Sequence, residues 1–368
     1  MKIAILGTRG IPNNYGGFEQ CAECLSVGLS KKGYDVTVYS PDFHPYKKQN
    51  YKGVKIQHIY SPQNYLGSAA SNFVFDYLSL KHAVKQKFDI ILELGLITAA
   101  PAIIVCNKGS SIIVTNLDGL EWKRAKWSPA VRSITKWLEK FGVRNSNYLV
   151  ADNIAIQEYI KINYNINSEF IAYGAEEVSD LSRNTIEKYL IEKGEFILTI
   201  ARLEPENNLE LMCDAYLSSH SQLPYYIIGN HQTKYGQLLK SKYKDTNIHF
   251  LGAIFNKEEL DTFRFYANLY LHGHSVGGTN PALIEAMAAK AFVIVHNNPF
   301  NRSVVCEDNL SFSKKEDLSE ILDRPNILSK REKQSQKNLE IINSKYRWDI
   351  IIEKYEKYFL KILGNKKI

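Results

Sequence analysis

The sequence predicts a two-domain α/β protein in which each domain is a doubly wound parallel sheet. Three observations support this fold class. The chain has 368 residues, which is too many for one ordinary core and suits two domains of roughly 150–200 residues. Its first half alternates short apolar strands with helices. Near residue 175 the same alternation starts again, which indicates a second domain of the same class.

The first 40 residues contain a strand, a glycine-rich loop, a helix and a second strand. The strand is KIAILG (2–7), the helix runs roughly from Phe18 to Lys32, and the second strand is GYDVTVYS (33–40). This order is a βαβ unit, which implies a parallel sheet. Further strands of the first half are predicted at DIILELG (89–95), SIIVTNLDG (111–119) and NYLVADN (147–153).

The second half contains further short strands, and we place the domain boundaries around them. Residues 1–172 are predicted to form the first domain, residues 173–345 the second, and residues 346–368 a terminal amphipathic helix that packs back on the first domain. Ligands of doubly wound sheets bind beyond the carboxyl ends of the strands, so we expect a central cleft faced by both domains. The predicted strands of the second domain are EFILTIARL (195–203), YYIIGN (225–230), NIHFLG (247–252), LYLHGH (269–274) and AFVIVHN (291–297).

Composition excludes several classes of protein. Apolar residues make up 45% and charged residues 23%, as in ordinary globular proteins. No apolar run reaches the ~20 residues of a transmembrane helix, and no secretory segment follows the opening Met-Lys, so we expect a cytoplasmic protein. The net charge of +7 is modest and most basic residues are dispersed, which argues against a nucleic-acid partner. Cys21 and Cys24 form a C-x-x-C without a second pair at zinc spacing, and we interpret them as helix core residues.

The first candidate loop is GTRGIPNNYGGFE (7–19). Its glycines do not follow G-x-G-x-x-G, which weakens an interpretation as a dinucleotide site. Gly16 and Gly17 stand just before a helix, where free backbone N–H groups can bind a phosphate and a missing side chain allows close approach. A long loop inside a compact domain tends to be functional, although a simple turn stays an alternative.

The second candidate loop is IARLEPENN (200–208), directly after a buried strand. Arg202 would project from the strand end, and its planar guanidinium suits the oxygens of a diphosphate. The alternative is a surface salt bridge with Glu204 or Glu206.

The third candidate stretch, HGHSVGGTNPALIEAM (272–287), ends a strand, turns and begins a helix at Pro281. Thr279 or Asn280 is a natural N-cap, and the free N–H groups of the first turn form an anion site. Glu285 lies one turn further in, within an apolar run where a carboxylate needs partners. The paired hydroxyls of a ribose would satisfy it; an exposed acid on an amphipathic helix is the alternative.

The fourth candidate segment follows Asp118, which ends a strand, and is rich in tryptophan and basic residues. Three of the four tryptophans of the protein fall here. Such a mixture suits an anionic membrane surface or a lipid-linked anionic acceptor, whereas a solvated helix face with inward aromatics is equally compatible. The residues are Trp122, Lys123, Arg124, Lys126, Trp127, Arg132, Lys136, Trp137 and Lys140.

These four stretches, in this order, resemble a GT-B glycosyltransferase of family 4, most closely the bacterial capsule and O-antigen rhamnosyltransferases. The resemblance rests on LGTRGIPNNYGGFE, DGLEWKRAKW, ARLEPENN and HGHSVGGTNPALIEAM and covers the whole chain. It implies a retaining hexosyltransferase that needs neither metal nor other cofactor. The expected donor is dTDP-L-rhamnose, and the expected acceptor is a saccharide or a polyprenyl-diphosphate-linked saccharide. Peripheral contact with the inner face of an anionic membrane is a further expectation.

The resemblance also implies roles for single residues. A Glu at the place of Glu285 binds the ribose of the donor, and an Arg at the place of Arg202 meets its diphosphate. The loop at Gly16 and Gly17 approaches the donor phosphates from the first domain. Asp118 stands where many relatives carry a His that contacts the transferred sugar.

Two positions depart from the family pattern. A second Glu usually stands eight residues before the ribose-binding one, where this chain has Gly277, and a Lys usually stands where it has Asn207. We expect backbone amides, with His272 or His274, to replace those side chains. The expected catalytic residues are Asp118 and Arg202. The expected donor-binding residues are Gly16, Gly17, Arg202, Asn207, His274, Gly277, Gly278, Thr279, Asn280 and Glu285; the expected acceptor or membrane side is Trp122, Lys123, Arg124, Lys126 and Trp127.

Two other functions stay open. A nucleotide-sugar epimerase of the same two-domain fold would turn over its substrate without an acceptor. A non-catalytic nucleotide-sugar-binding protein would keep its binding after Glu285→Ala and Arg202→Ala. For a glycosyltransferase we expect Glu285→Ala to weaken nucleotide binding without unfolding the protein.

Overall fold

A computed structural model describes residues 1–14, 16–106, 109–178, 181, 186–325 and 327–365. The chain divides into two compact units. The first contains Met1–Lys123, Trp127–Tyr173 and Trp348–Ile368, and the second contains Arg124–Lys126 and Gly174–Arg347.

The first unit is built on an eight-stranded sheet with the order β3-β4-β2-β1-β5-β6-β7-β8. Its pairings are parallel apart from the short β3–β4 hairpin. Strands β1 and β5 are buried along almost their whole length, which explains their continuous apolar sequences. The strands are β1 Lys2–Leu6, β2 Asp35–Pro41, β3 Asn50–Tyr51, β4 Val54–Ile59, β5 Ile90–Glu93, β6 Ile112–Leu117, β7 Tyr148–Ala151 and β8 Glu169–Phe170.

Five helices of the first unit connect these strands, and α3 packs between α2 and α4. A Cβ at Gly142 of α4 would lie 2.4 Å from the Leu96 side chain of α3, so a glycine permits this close approach. The helices are α1 Gly17–Lys31, α2 Gln63–Lys85, α3 Leu96–Val105, α4 Pro129–Asn145 and α5 Ile154–Tyr164, with a 3₁₀ turn at Glu121–Lys123.

The second unit is built on a six-stranded parallel sheet with the order β11-β10-β9-β12-β13-β14. Its strands are β9 Ile197–Ile200, β10 Tyr225–Ile228, β11 Ile248–Gly252, β12 Leu269–His272, β13 Val293–His296 and β14 Ser311–Phe312. Its helices are α6 Leu209–Ser218, α7 Lys234–Lys242, α8 Lys257–Tyr266, α9 Pro281–Ala288, α10 Pro299–Arg302, α11 Lys315–Leu322 and α12 Arg331–Ile341, with shorter turns at Glu187–Tyr189, Pro205–Asn207, Ile327–Lys330 and Ile342–Tyr346.

The terminal helix α13, Trp348–Asn365, belongs to the first unit and begins two residues later than the predicted start at 346. It lies against α1, where a Cβ at Gly28 would come within 2.2 Å of the Ile352 side chain. Tyr358 donates its hydroxyl hydrogen to the Leu149 carbonyl at 3.3 Å, which ties the helix to β7. Residues 366–368 of the predicted terminal segment lie outside the described residues.

The predicted fold class is confirmed, since both units are parallel-sheet α/β structures. Four strands were not predicted: β3, β4, β8 and β14. Helix α1 includes Gly17, so it starts one residue before its predicted beginning.

The two cysteines of the C-x-x-C lie on α1 and form no disulfide in the described part of the chain. Cys21 is only 1% exposed, and burial, with Cys24 and Asp152 nearby, raises its pKa well above the usual value. Within the described residues no group of three or more His, Cys, Asp or Glu side chains could hold a metal ion. No helix in the described part of the chain combines the length and apolar character needed to cross a membrane.

Candidate functional site

The second sheet has its topological switch point between β9 and β12. The chain runs from β9 outward to β10 and β11, then returns to β12 on the other side and continues to β13 and β14. The loops 201–208 and 273–280 therefore leave neighbouring strands at the carboxyl edge of the sheet. This is where open α/β sheets place their ligands.

Direct hydrogen bonds join these two loops. The Asn208 side-chain amide donates to the Gly273 carbonyl at 2.8 Å. Ser275 donates to the Glu206 carbonyl from its backbone N–H at 3.1 Å and from its hydroxyl at 2.7 Å. A Cβ at Gly273 would lie 2.3 Å from the Asn207 carbonyl oxygen, so only glycine fits there. The two loops thus form one fixed edge.

A third loop, between β13 and α10, supports the same edge. The side-chain amides of Asn298 and Asn301 both donate to the His274 carbonyl, at 2.9 and 2.8 Å. Asn301 also donates to the His296 carbonyl at 2.9 Å, and its own N–H donates to the Asn298 side chain at 3.1 Å. Sequence reasoning missed both asparagines. The signal was present, because an Asn directly before Pro299 is a typical N-cap.

This edge contains buried polar atoms without hydrogen bonds to the described residues. His272 is 1% exposed and stacks on His274 with ring centroids 4.3 Å apart. No described group hydrogen-bonds either ring nitrogen of His272 or Nδ1 of His274. Glu206 is 6% exposed and its carboxylate accepts no hydrogen bond from the described residues. Since most buried polar atoms in native proteins have a partner, these atoms make the edge a candidate place for a ligand.

Both imidazoles of the edge are uncharged at neutral pH. Burial, with His296 nearby, lowers the pKa of His272 to about 3. Burial also lowers the pKa of His274 well below its usual value, assisted by His272, Arg202 and Arg124. A neutral imidazole offers one donor and one acceptor, so the pair can hydrogen-bond a polar ligand without adding charge.

Arg202 lies on the loop after β9 and its side chain is exposed. In the described part of the chain it forms no ion pair with Glu204 or Glu206. Glu204 instead forms an ion pair with Lys126, whose Nζ lies 3.7 Å from the carboxylate. Glu206 forms one with Arg124, whose Nη1 lies 3.9 Å from the carboxylate. The surface salt bridge considered as an alternative for Arg202 therefore does not form.

Asn207 is only 3% exposed, and its side-chain amide donates to the Arg202 carbonyl at 2.7 Å. In this structure the side chain shapes the loop that carries Arg202 rather than facing outward. The hydrogen bond gives this side chain a role in positioning the loop, and its expected direct contact with a donor stays a prediction.

The start of α9 has the predicted cap. Asn280, rather than Thr279, is the N-cap, and its side-chain oxygen accepts the Ala282 N–H at 2.9 Å. Pro281 occupies the first helical position. In the preceding turn, Gly277 has φ +145°, and no described atom lies within 4 Å of the place where its Cβ would stand. The turn before α9 is therefore open at Gly277.

Glu285 has a protein partner that the sequence did not reveal. Its carboxylate accepts a hydrogen bond from Nη2 of Arg264 on α8 at 2.5 Å. Arg264 is 2% exposed and also donates to Asp261 at 2.8 Å. Burial acts to lower the pKa of Arg264, but Glu285, Tyr270 and Asp261 raise it above its usual value. The need of Glu285 for a partner is therefore met inside the protein, and its removal would leave a buried cation poorly compensated.

The candidate residues of the first unit take the following places. Asp118 directly follows β6 and is half-buried. Gly16 is the N-cap of α1 and Gly17 its first residue. The Glu19 carboxylate in the first turn of α1 accepts a hydrogen bond from the Arg9 backbone N–H at 2.8 Å. This bond ties the loop between β1 and α1 to the start of the helix. The roles expected for Asp118, Gly16 and Gly17 stay predictions.

Several polar groups of the tryptophan-rich segment have partners within the protein, and its expected contact with a membrane stays a prediction. Trp127 donates its indole N–H to Glu121 at 2.7 Å, and Trp122 is half-buried beside Tyr159 with ring centroids 6.5 Å apart. Residues 124–126 cluster with the second unit, where Arg124 and Lys126 pair with acids as described above. The exposed apolar side chains of this region lie instead on α4, namely Ile134 at 57% and Trp137 at 56%.

Comparison with known proteins treats the two halves of the chain separately. Residues 182–340 match the family described as glycosyl transferases group 1. Residues 1–176 match a domain of unknown function, DUF1972. No curated protein matches the chain.

Several solved structures resemble the chain along its whole length. Sucrose-phosphate synthase from Thermosynechococcus elongatus has a TM-score of 0.81 at 15% identity over 99% of both chains. A glycosyltransferase from Rickettsia africae ESF-5 has a TM-score of 0.73 at 15% identity over 99% of both. Anabaena Alr3699/HepE in complex with UDP and glucose has a TM-score of 0.72 at 15% identity, over 98% of this chain and 100% of that one. At such low identity these likenesses establish the fold, GT-B. With residues 182–340 forming a group 1 glycosyl transferase domain, the chain is a glycosyltransferase.

Proposed function

We propose that the edge formed by the loops after β9 and β12 binds a nucleoside-diphosphate sugar as the donor. The buried polar atoms of His272, His274 and Glu206 support this proposal most directly, because they lack hydrogen bonds beside an exposed arginine and a helix N-terminus. Structures of fold relatives carry such ligands: Alr3699/HepE was solved with UDP-glucose, and trehalose-6-phosphate synthase with UDP-2-fluoro glucose.

Within this proposal Arg202 contacts the diphosphate, since it is the exposed cation of the edge. The first-turn amides of α9 and those of Gly277, Gly278 and Thr279 face the remaining phosphate and sugar oxygens. Glu285 contacts the ribose, with Arg264 holding its carboxylate in one orientation. Asn207 acts by fixing the Arg202 loop.

The finer proposal is a retaining family 4 reaction that transfers L-rhamnose from dTDP-L-rhamnose in bacterial surface-polysaccharide synthesis, to a saccharide or a polyprenyl-diphosphate-linked acceptor. It is supported by the resemblance of the four loops to rhamnosyltransferases. The open turn at Gly277, where relatives carry an acid, also suits a deoxysugar with fewer polar groups.

The proposed reaction occurs on one face of the sugar. The bond between the anomeric carbon and the diphosphate oxygen breaks, and the acceptor oxygen forms its bond to that carbon from the same side. The acceptor proton passes to the leaving diphosphate, whose negative charge Arg202 and the α9 N-terminus stabilise. No metal is required by this scheme.

The direct test of the donor is thermal stabilisation of the purified protein by dTDP, UDP, GDP and NAD, each alone and the first three also as common sugar conjugates. A ligand at 100 times its dissociation constant adds about 2.7 kcal/mol to the free energy of unfolding, which raises the melting temperature visibly. We expect dTDP and dTDP-rhamnose to respond. Stabilisation by UDP or GDP alone would mean that the donor carries a different nucleotide. If no nucleotide or nucleotide sugar raised the melting temperature, the proposed site would be wrong.

Arg202→Ala tests the diphosphate contact. Loss of a charge-assisted contact of about 1.5–3 kcal/mol should weaken dTDP binding roughly 10- to 100-fold, measured by calorimetry. Binding of thymidine, which has no phosphate, should not change. Arg324→Ala removes another exposed arginine of the second unit and serves as the matched control. Equal dTDP affinity in the two variants would refute the assignment of Arg202.

A further inference from the structure

The tripeptide Arg124–Lys126 directly follows the 3₁₀ turn after β6, yet it clusters with the second unit. Two ion pairs tie it to that unit. Nη1 of Arg124 lies 3.9 Å from the Glu206 carboxylate, and Nζ of Lys126 lies 3.7 Å from that of Glu204. Both acids belong to the loop after β9, which is one of the two loops of the proposed donor site. The tripeptide therefore brings two cations to that loop.

The loop that receives these cations is compact. The Glu204 N–H donates to the Arg202 carbonyl at 2.9 Å, and the Asn207 N–H donates to the Glu204 carbonyl at 3.0 Å. These bonds hold Arg202, Glu204 and Glu206 on one short, folded stretch of chain. Through its contact with Glu206, Arg124 therefore lies against the loop that carries Arg202.

Arg124 also acts on the second loop of the donor site. The Ser275 N–H and hydroxyl both donate to the Glu206 carbonyl, which holds that acid next to the chain at His274. Burial is the largest cause of the lowered pKa of His274, and the neighbouring imidazole, Arg202 and Arg124 lower it further. The two arginines therefore lie within electrostatic reach of the same buried imidazole.

Arg124 is more enclosed than Arg202. The Arg124 side chain is 15% exposed and that of its partner Glu206 is 4% exposed, whereas Arg202 is exposed. Electrostatic contacts are stronger where water is excluded, so a phosphate gains more beside an enclosed cation than beside an exposed one. A guanidinium carries five N–H donors in a planar fork, and it can contact a carboxylate and a phosphate at the same time.

The charges of this loop favour an anion only when the tripeptide is included. Glu204 and Glu206 repel a diphosphate, and Arg202 alone does not offset both of them. With Arg124 and Lys126 added, these five side chains carry three positive and two negative charges. Without Arg124 the two signs would balance, and the attraction for a diphosphate would fall.

We propose that Arg124 is a second diphosphate-binding residue of the donor site and that Glu206 holds its guanidinium in place. The inference rests on the proposed binding of a nucleoside-diphosphate sugar and adds one residue to that site. It gives Arg124 a role on the donor side, as an alternative to the acceptor or membrane side expected from the sequence. In the reaction, Arg124 then stabilises the negative charge of the leaving diphosphate together with Arg202.

The test measures the binding of dTDP, UDP and thymidine to Arg124→Ala by calorimetry. Lys126→Ala is the matched control, because it removes the same charge from the same tripeptide and also ends an ion pair with an acid of the loop. We expect Arg124→Ala to bind dTDP about 10- to 100-fold more weakly than the parent and to bind thymidine equally well. Lys126→Ala should stay close to the parent, since its ion pair is more exposed.

A second background separates direct contact from mere neutralisation of the buried acid. Arg124→Ala ends the ion pair of a buried carboxylate, which can destabilise the protein, so the substitution is also made together with Glu206→Gln. If Arg124 contacts the diphosphate, Arg124→Ala weakens dTDP binding by the same factor in this background as in the parent. If the effect disappears there, Arg124 only neutralises Glu206, and the proposed contact is wrong.

The remaining outcomes are equally decisive. Equal weakening by Arg124→Ala and Lys126→Ala would reduce the effect to the overall charge of the tripeptide and overturn the assignment. Equal weakening for dTDP and thymidine would indicate a general distortion of the site and overturn it too. Arg202→Ala is measured alongside: dTDP binding that depends on Arg202 but not on Arg124 refutes this inference alone. A parent protein that binds neither dTDP nor UDP refutes the proposed donor site with it.

Discussion

The two sheets offer the same topological place but very different chemistry there. In the first unit the switch point lies between β1 and β5, where Glu93 ends β5 and is fully buried near Asp76 of α2. Burial raises the pKa of Asp76 to about 7 and that of Glu93 well above its usual value. In the second unit the corresponding loops carry the exposed Arg202 and the neutral pair formed by His272 and His274.

This difference shows that topology provides an edge and that side chains decide what the edge can bind. Buried carboxyl groups that are held toward their uncharged form offer no positive charge to a diphosphate. An edge with a free guanidinium, a helix N-terminus and neutral imidazoles has both charge and hydrogen-bond donors for one. The donor is accordingly proposed for the second sheet, on the basis of its residues and not of its fold.

The comparison depends first on the buried Arg264, which has no counterpart in the acid pair of the first unit. Arg264→Ala removes the cation that Glu285 contacts and leaves Asp261 with Lys257, and breaking a buried ion pair this way costs about 3–5 kcal/mol. Urea unfolding measures the loss. Lys257→Ala, which removes the exposed partner of Asp261, is the control and should cost little because that lysine is 54% exposed. Equal losses of unfolding free energy in the two variants would mean that the buried Arg264 network stabilises the protein no more than an exposed ion pair does.

The titrating groups of the two edges should give opposite pH dependences. The pKa of Asp76 is raised in the folded state, so its contribution to stability is present at low pH and is lost between about pH 4 and 7. The pKa of His272 is lowered to about 3, so its contribution is present above about pH 6.5 and is lost as the pH falls. At ~1.4 kcal/mol per pH unit, each effect is at most about 5 kcal/mol over its window.

Two single variants separate these effects in urea unfolding at pH 4.5, 5.5, 6.5 and 7.5, expressed as the difference from the parent. Relative to the parent, Asp76→Asn should become more stable as the pH rises, and His272→Gln should become more stable as it falls. Difference curves that are flat, or that slope in the same direction, would contradict the contrast between the two edges.

A smaller effect is expected at the glycine that faces Glu93. Gly7 has φ +74°, and a Cβ there would lie 2.2 Å from Oε1 of Glu93 and 2.6 Å from the backbone nitrogen of Gly95. Gly33 has a similar φ of +88° with no described atom within 4 Å. Gly33→Ala therefore adds backbone strain alone, and Gly7→Ala adds overpacking of about 1–3 kcal/mol on top of it. If thermal unfolding gives the same loss for both, Glu93 is not packed against Gly7 as described.

Much of the candidate site could be predicted because its residues are close together in the chain. Arg202 lies two residues after the end of β9, and the N-cap of α9, Asn280, directly precedes Pro281. The strand β4 was missed although VKIQHI alternates apolar and polar residues, because a half-polar strand looks much like a loop.

By itself the sequence determined the two α/β domains, their main strands and the loops at the strand ends, because apolar periodicity and caps act over a few residues. Only the tertiary structure decided which side chains are partners. Arg264 is 21 residues from its partner Glu285 in the sequence. Glu121 accepts the indole N–H of Trp127, and Lys136 makes a cation–π contact with Trp122. Burial and pairing depend on groups from separate elements, and no local pattern encodes the distance between them.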